Sequence, residues 1–208
     1  MKVIIFGATG SIGELAVKNC LQDGHKVIAF ARNPEKLDIQ NPNLALHKGD
    51  ATRLSDVMAG MAGADAAIIT LGAGKSRKGT VRSEGTLTII QAMHELGIKR
   101  LICQSTLGAH ESWSNLNFFW KYIMFGALLR PVFLDHEKQE NLVRASGLDW
   151  TIVRPSAFID AGPTPYKISF GPEIRNLKLT IPRLDVARFL AEEVRRNQFL
   201  HQAVAISN

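Results

Sequence analysis

The chain has 208 residues, of which 46% are hydrophobic, and a formal net charge of +6. This length suits one domain with a sizeable core and leaves little room for a second. The basic balance points to an anionic ligand. However, the lysines and arginines are scattered and are not interleaved with aromatic residues, which argues against a nucleic-acid partner. A phosphate-bearing small molecule accounts for the charge.

Metal binding and membrane insertion are not expected. Cys20 and Cys103 lack a C-x-x-C spacing, and the six histidines are not spaced as metal ligands. The N-terminus does not resemble a signal peptide, so a cytoplasmic location is predicted. The most apolar stretch, residues 116–133, is interrupted by Lys121 and Arg130, which favours a buried or dimer-forming helix over a membrane anchor. The protein is therefore expected to be a monomer or a homodimer without a membrane partner.

Strand-like and helix-like segments alternate along the first half of the chain. Strands are predicted at Lys2–Phe6, Lys26–Ala31 and residues 44–47, 66–71 and 100–103, and helices at residues 12–22, 54–61 and 83–96. The strands are continuous apolar runs, which is typical of a parallel sheet covered by helices on both faces. This pattern predicts the α/β class, with a Rossmann-type doubly wound parallel β-sheet in a single domain of residues 1–208.

The alternation is looser after residue 105. An apolar helix is predicted at residues 118–129, ended by Pro131. The elements predicted after it are a helix at residues 135–145, a strand at 150–153, a Gly/Pro-rich loop at 161–172, a helix at 183–196 and an edge strand at 202–206. This C-terminal part, about residues 105–208, is expected to supply the substrate side of a crevice.

A glycine-rich turn separates the first predicted strand from the first predicted helix. Gly7, Gly10 and Gly13 form a G-x-x-G-x-x-G pattern within a βαβ unit. Gly7 permits the tight turn, Gly10 lets the backbone approach a pyrophosphate, and Gly13 lets helix and strand pack closely. We expect a dinucleotide to be bound here, at the helix N-terminus, by Gly7, Thr9, Gly10, Ser11, Ile12 and Gly13. The alternative is a glycine-rich turn without a ligand.

The end of the second strand indicates which dinucleotide is bound. An acidic residue there selects NAD, but this strand is followed by Arg32, whose guanidinium can pair with a 2′-phosphate, and Lys36 follows one turn later. NADP(H) is therefore predicted, with a solvated Arg32 as the alternative. Further cofactor contacts are expected after the third and fourth strands, from Asp50, Ala51, Leu71 and Gly72. Asp50 is equally suited to capping the next helix.

Several motifs spread over the whole chain resemble those of atypical short-chain dehydrogenases. They are Phe6-Gly7-Ala8-Thr9-Gly10-Ser11-Ile12-Gly13, Gly49-Asp50, Gln104-Ser105-Thr106, the stretch SGLDWTIVRP at residues 146–155, and Asp185-Val186-Ala187. Within this family the chain most resembles the NAD(P)H-binding, NmrA-like group and its biliverdin reductase B / flavin reductase branch. The resemblance implies a nicotinamide near Ser105 and the backbone from Pro155 to Phe158.

The proton-donating pair of ordinary short-chain dehydrogenases is missing from the sequence. Those enzymes use a serine with a Y-x-x-x-K motif, and Ser105 stands at the serine position. Neither Tyr122 nor Tyr166 has a lysine four residues later, and the residue four before Lys138 is Leu134. Loss of a positioned acid costs about 10²–10⁴-fold in rate. The expected partner is therefore a conjugated small-molecule acceptor, a flavin, bilin or quinone, which delocalises the incoming charge.

Two residues are candidate catalytic groups. Ser105 is expected to position the substrate or the nicotinamide amide, and His136 to donate a proton, unless His136 is only a polar helix residue. The leading hypothesis is an NADPH-dependent reductase of a planar conjugated acceptor. The alternatives are an NADP(H)-sensing regulatory protein with little catalysis and an NAD(P)-dependent isomerase or epimerase.

Overall fold

A computed structural model of the chain describes residues 1–72, 74, 79–169 and 177–208. The strands are β1 (Lys2–Phe6), β2 (Lys26–Ala31), β3 (Leu44–Lys48), β4 (Ala66–Ile69), β5 (Arg100–Gln104), β6 (Asp149–Pro155), β7 (Ala157–Ile159), β8 (Lys167–Ser169), β9 (Thr180–Pro182) and β10 (Gln202–Ser207). The α-helices are α1 (Ser11–Gln22), α2 (Leu54–Met61), α3 (Val81–Leu96), α4 (Arg130–Ala145) and α5 (Arg183–Arg196). No helix in these ranges is long and apolar enough to cross a membrane.

An eight-stranded sheet in the order β3-β2-β1-β4-β5-β6-β10-β8 forms the centre of the fold. Its neighbouring strands run parallel except β8, which pairs antiparallel with β10. The short strands β7 and β9 pair separately. The predicted single-domain, mostly parallel Rossmann-type sheet is thus confirmed.

The central strands are buried on both faces because helices cover each side. Val3 and Ile5 of β1 belong to a core that α1 and α5 complete. Ile4 and Phe6, which point to the opposite side, belong to a second core with α2, α3 and α4. All four side chains are fully buried. The sequence therefore shows continuous apolar runs instead of alternation, and the sheet is doubly wound.

The last strand differs from its prediction. β10 is not an edge strand, because it lies between β6 and β8. The strand β8 falls within the predicted loop 161–172, of which residues 170–172 lie outside the described part. With only three residues, β8 is too short to show a hydrophobic pattern in the sequence.

The apolar segment before α4 also differs from its prediction. Residues Phe119–Leu128 form a π-helical segment instead of an α-helix. Pro131 does not separate two helices. It lies in the first turn of α4, which begins at Arg130 and not at residue 135. Proline suits this position because the first turn of a helix leaves its N–H groups without intrahelical partners.

The turn between β1 and α1 needs glycine at two positions. Gly7 has φ +81°, and a Cβ there would lie 2.6 Å from the Thr70 carbonyl oxygen. A Cβ on Gly13 would overlap the carbonyl oxygen of Gly7. Gly10 is less constrained, because its φ of −79° suits any residue and its nearest neighbour would be the Gly7 oxygen at 3.2 Å.

We therefore expect Gly13→Ala to lower the free energy of unfolding by about 1–3 kcal/mol or more, the range for overpacking against a rigid backbone. Gly162→Ala is the matched control, because a Cβ there meets nothing within 4 Å. It should change stability by less than about 0.5 kcal/mol. Chemical denaturation of both variants measures the difference. Equal stability of the two variants would show that α1 does not need its close approach to β1.

Candidate functional site

A cavity of about 640 Å³ lies along the carboxyl ends of the parallel strands. Its lining includes Gly7 after β1, Arg32 after β2, Leu71 after β4, Ser105 after β5 and Ser156 after β6. Ligands of open α/β sheets bind at this edge, where the strand order reverses. Here β1 leads through α1 to β2 on one side, while β4 lies on its other side. The cavity therefore occupies the switch point of the sheet.

The structure brings most of the predicted cofactor-binding residues into this lining. They are Gly7, Thr9, Gly10, Ser11, Ile12, Arg32, Asp50, Ala51, Leu71, Gly72, Ser105, Pro155 and Phe158. Two predicted residues do not line the cavity. Gly13 is buried between α1 and the turn, and Lys36 is exposed at the end of a short 3₁₀ helix, Pro34–Lys36. Lys36 therefore does not share the cavity with Arg32 as predicted.

The N-terminus of α1 forms one end of the cavity. Gly10 occupies the N-cap position and has no side chain to cap the helix. Its own N–H donates to the Gly7 carbonyl oxygen at 2.9 Å, which holds the loop in a tight turn. The first amides of a helix carry partial positive charge and lack intrahelical partners. This end of the cavity therefore fits a pyrophosphate.

Asp50 and Arg32 lie together at the neighbouring end of the cavity. The Asp50 Oδ1 atom accepts hydrogen bonds from the Thr52 amide (3.0 Å) and hydroxyl (2.8 Å). These bonds, and to a smaller extent the charge of Arg32, lower the pKa of the Asp50 carboxyl. Asp50 does not cap α2, because Arg53 occupies that N-cap position. Arg32 is exposed, so its guanidinium is accessible to a ligand.

Ser105 is fixed from both its backbone and its side chain. Its N–H donates to the Val153 carbonyl oxygen at 2.7 Å, and its Oγ donates to Glu140 Oε1 at 2.6 Å. The hydroxyl has one proton, so this bond leaves only lone pairs for a ligand. Ser105 therefore presents a hydrogen-bond acceptor to the cavity. The positioning role predicted from the sequence is thereby limited to ligand groups that donate a hydrogen bond.

A buried ion pair holds Glu140 in place. Arg154 of β6 donates from Nε to Glu140 Oε1 (2.8 Å) and from Nη2 to Glu140 Oε2 (2.5 Å). Arg154 also contacts Glu111, at 3.0 Å between Nη1 and Oε1, and Glu111 in turn contacts Arg144 at 2.9 Å. Burial alone would raise the pKa of Glu111, but its hydrogen bonds, above all those from Arg154, outweigh this effect and lower the pKa to about 2.

Sequence reasoning missed this network, although two signals pointed to it. Arg154 continues the apolar strand that contains Ile152 and Val153, and a cation buried in such a strand requires a partner. Glu140 follows His136 by four residues, so both lie on the same face of α4. The network connects the loop after β5, the end of β6 and α4.

His136 lines the cavity, but its environment argues against the predicted role of proton donor. Burial, and then the neighbouring charge of Arg82, lower the pKa of His136 to about 3, while a hydrogen bond with Gln139 acts in the opposite direction. Its Nδ1 lies 3.2 Å from Gln139 Oε1, and Gln139 Nε2 donates to Thr86. This series of hydrogen bonds places the proton of the neutral ring on Nδ1. With a pKa of about 3, His136 is neutral at pH 7, and its Nε2 is a hydrogen-bond acceptor.

The face of α4 that lines the cavity is not the face that carries Leu134 and Lys138, the two positions considered in the sequence analysis. Val132 and His136, four residues apart, line the cavity. Lys138 and Leu134 are exposed and lie outside the described lining. Tyr122 is 59% exposed on the π-helical segment, and Tyr166 packs edge-on against Phe189. The two positions of α4 that line the cavity four residues apart thus hold valine and histidine.

The remaining part of the cavity is mainly apolar. The π-helical segment and its neighbours supply most of this wall, with Leu107, Leu116, Trp120, Phe125, Leu129 and Leu179. Phe125 stacks on Phe133 with ring centroids 4.8 Å apart, which supports the wall from behind. One charged residue, Arg82 in the first turn of α3, also lines the cavity. These residues were not predicted as site residues, because they come together only in the folded chain.

The depressed pKa of His136 generates a test through the pH dependence of stability. The unfolded chain protonates His136 near pH 6.5, and the folded chain only near pH 3. The unfolded state therefore binds more protons between these values, and stability falls as pH falls from about 6.5. In His136→Gln this loss should be smaller. Denaturation midpoints measured from pH 7.5 to 4.5 for both proteins test this. Identical slopes would show that folding does not lower the pKa of His136.

The fold and the cavity together define a Rossmann-type dinucleotide-binding protein. Comparison with known proteins gives the same class. The chain belongs to the NAD(P)H-binding family, whose model matches residues 7–197.

Individual proteins are similar to this chain in sequence or in fold. The chain is 31% identical over 166 residues to the uncharacterized sugar epimerase YhfK of Bacillus subtilis, which covers 74% of this chain and 71% of that protein. The fold is similar to ChuY, an anaerobilin reductase from Escherichia coli O157:H7, with a TM-score of 0.80, 25% identity and coverage of 100% and 97% of the two chains. It is also similar to a short-chain dehydrogenase/reductase from Veillonella parvula in complex with NADP, with a TM-score of 0.83, 14% identity and coverage of 100% and 94%.

Proposed function

We propose that this protein is an NADPH-dependent reductase of a planar conjugated acceptor, a flavin, bilin or quinone. The observation that carries the proposal is the composition of the cavity. It combines a dinucleotide-binding edge with an apolar wall, and neither tyrosine of the chain belongs to its described lining. Such a cavity suits the reduction of an extended π-system better than that of a simple ketone, because nothing in the described lining replaces the tyrosine as an acid.

The residues of the proposed cofactor site form one group that binds its phosphates and another that contacts its adenine and ribose. The backbone from Gly7 to Ile12 binds the pyrophosphate, and Arg32 pairs with the 2′-phosphate. Asp50 and Ala51 would contact the adenine, and Leu71 and Gly72 would contact the ribose, since all four line the cavity. Bound NADPH supplies a hydride from C4 of its nicotinamide.

Ser105 orients the nicotinamide in this proposal. Because its hydroxyl proton is donated to Glu140, the serine oxygen accepts a hydrogen bond from the carboxamide NH₂ group. Pro155, the last residue of β6, with Ser156 and Phe158 after it, would form the wall beside the ring. The C-terminal part of the chain, including Trp120 and Leu179, supplies the surface on which the acceptor lies.

The acceptor must tolerate the absence of a strong acid. His136 is neutral at pH 7 and donates its Nδ1 proton to Gln139, so it offers a hydrogen-bond acceptor and not a proton. A flavin, bilin or quinone delocalises the negative charge that arrives with the hydride and can take its proton from water. The role of His136 is therefore to bind an N–H or O–H group of the acceptor.

The relatives support both this proposal and an alternative. ChuY, a reductase of a bilin-type compound by its name, favours an acceptor of this class. YhfK is described as a sugar epimerase, which favours the isomerase alternative. Epimerisation needs a base, and a histidine with a pKa of about 3 is a weak one. The exposed apolar side chains of Phe118, Tyr122 and Leu128 favour the other alternative, an NADP(H) sensor with a protein partner.

Steady-state oxidation of NADPH in the presence of FMN, biliverdin or menadione tests the proposal. We expect turnover with at least one of these acceptors and little turnover with simple ketones or aldehydes. Tight NADPH binding without turnover of any acceptor would contradict the proposal and favour the sensor. Interconversion of a nucleotide sugar would favour the epimerase.

The preference for NADPH is tested with Arg32→Ala. Loss of a charged hydrogen bond to the 2′-phosphate should weaken NADPH binding by about 1.5–3 kcal/mol. NADH lacks this phosphate, so its affinity should change little. Lys26→Ala is the matched control, because Lys26 is exposed at the opposite end of the same strand. Fluorescence titration with both nucleotides gives the four affinities. Equal losses for NADPH and NADH would show that Arg32 does not contact the 2′-phosphate.

A further inference from the structure

Arg82 is an incompletely hydrogen-bonded cation in the wall of the cavity. It lies in the first turn of α3, and its Nε and Nη1 atoms are buried. Neither atom has a hydrogen-bond partner among the residues that the structure describes. A guanidinium has five N–H donors in a rigid fork and remains charged in proteins. Burying a charge with incomplete hydrogen bonding is costly, so the guanidinium favours an anion that enters the cavity.

The nearest carboxylate does not satisfy Arg82. Asp135 Oδ1 accepts from the Ser83 amide (3.1 Å) and hydroxyl (2.6 Å), and Oδ2 accepts from the Arg82 amide (3.1 Å). Asp135 thus satisfies the N-terminus of α3. The Arg82 guanidinium lies farther away, with Nη1 3.7 Å from Oδ2, which is too long for a hydrogen bond. Burial lowers the pKa of Arg82, and the charge of Asp135 offsets this effect only in part.

The neighbours of Arg82 place it at the acceptor end of the cavity. Its contact with Asp135 and its electrostatic effect on His136 put it beside α4. The same face of α4 carries Val132, next to the apolar wall. The expected phosphate positions lie elsewhere, at the N-terminus of α1 and beside Arg32.

We propose that Arg82 forms an anion subsite for the acceptor, which is then a planar conjugated molecule that carries a carboxylate. The inference rests on the proposed reductase function, because it names the class of its acceptor. The apolar wall contacts the ring system, and the Arg82 guanidinium, which lines the cavity, receives the carboxylate. His136 Nε2, a neutral acceptor beside it, binds an N–H or O–H group of the same molecule.

Equilibrium binding to the NADP⁺-loaded protein tests the subsite without requiring turnover. The probes are anthraquinone-2-carboxylate and its methyl ester, which differ in charge but share the ring system. The wild-type protein should bind the carboxylate more tightly. Arg82→Met should weaken carboxylate binding roughly 10- to 100-fold, as expected for lost hydrogen bonds to a charged group. It should leave ester binding unchanged within a few-fold.

Two further variants make the result specific. Arg130→Met removes the same charge from an exposed position outside the described lining and should leave the binding of both probes unchanged. Arg82→Gln keeps a polar side chain and should lose the carboxylate preference as Arg82→Met does, which covers the case in which Arg82→Met does not fold.

Three outcomes would overturn the proposal. One is failure of the wild-type protein to bind either probe, and another is equal binding of both probes. The third is a loss of NADP⁺ affinity in both Arg82 variants that matches the loss of carboxylate affinity, which would assign Arg82 to a cofactor phosphate. Steady-state NADPH oxidation with both anthraquinones is measured in parallel. A carboxylate preference in binding without any turnover would contradict the reductase function and leave the subsite intact.

Discussion

The buried ion pair between Arg154 and Glu140 is the interaction on which the geometry of the cavity around Ser105 depends. Both side chains are almost completely buried, at 1% and 0% exposure. They connect β6 to α4, and Glu140 also fixes the hydroxyl of Ser105. Loss of one partner of such a pair typically costs about 3–5 kcal/mol, because the other charge remains buried. The sequence of this protein therefore cannot vary freely at either position.

The same pair determines what the site can do chemically. Glu140 accepts the only proton of Ser105, so the serine offers an acceptor to a ligand. Arg154 compensates the charge of Glu140 and extends to Glu111, which fixes the loop that follows β5. β6 ends at Pro155, which itself lines the cavity. The proposed nicotinamide position thus depends on this network of charged side chains.

The two ends of the cavity are built in different ways, and this explains what the sequence could predict. The phosphate end is local, because Gly7, Gly10 and Gly13 act through the backbone of one βαβ unit. Their spacing therefore identified the turn, and the apolar runs identified the sheet. Arg32 and Asp50 directly follow strands, so the sequence also placed them at the cavity that the structure shows. Lys36 lies in the 3₁₀ helix that follows β2 and is outside the described lining.

The acceptor end could not be predicted in this way, because distant segments form it. Arg154 pairs with Glu140 across 14 positions and with Glu111 across 43. The backbone amide of Arg82 donates a hydrogen bond to Asp135 of α4, which is 53 positions away in the sequence. Contacts between such distant residues leave no periodic pattern in the sequence. The position of β10 inside the sheet was missed for the same reason, since its partner β8 is short and runs antiparallel.

Single-turnover oxidation of NADPH deuterated at C4 tests the central claim most directly. The protein is mixed with deuterated or ordinary NADPH and with FMN, biliverdin or menadione, and the decay of nicotinamide absorbance is followed. Direct hydride transfer predicts that oxidation is slower with the deuterated cofactor for at least one acceptor. Absence of oxidation with all three acceptors, or equal rates for the two cofactors with every acceptor, would contradict the assignment of this cavity as a reductase site.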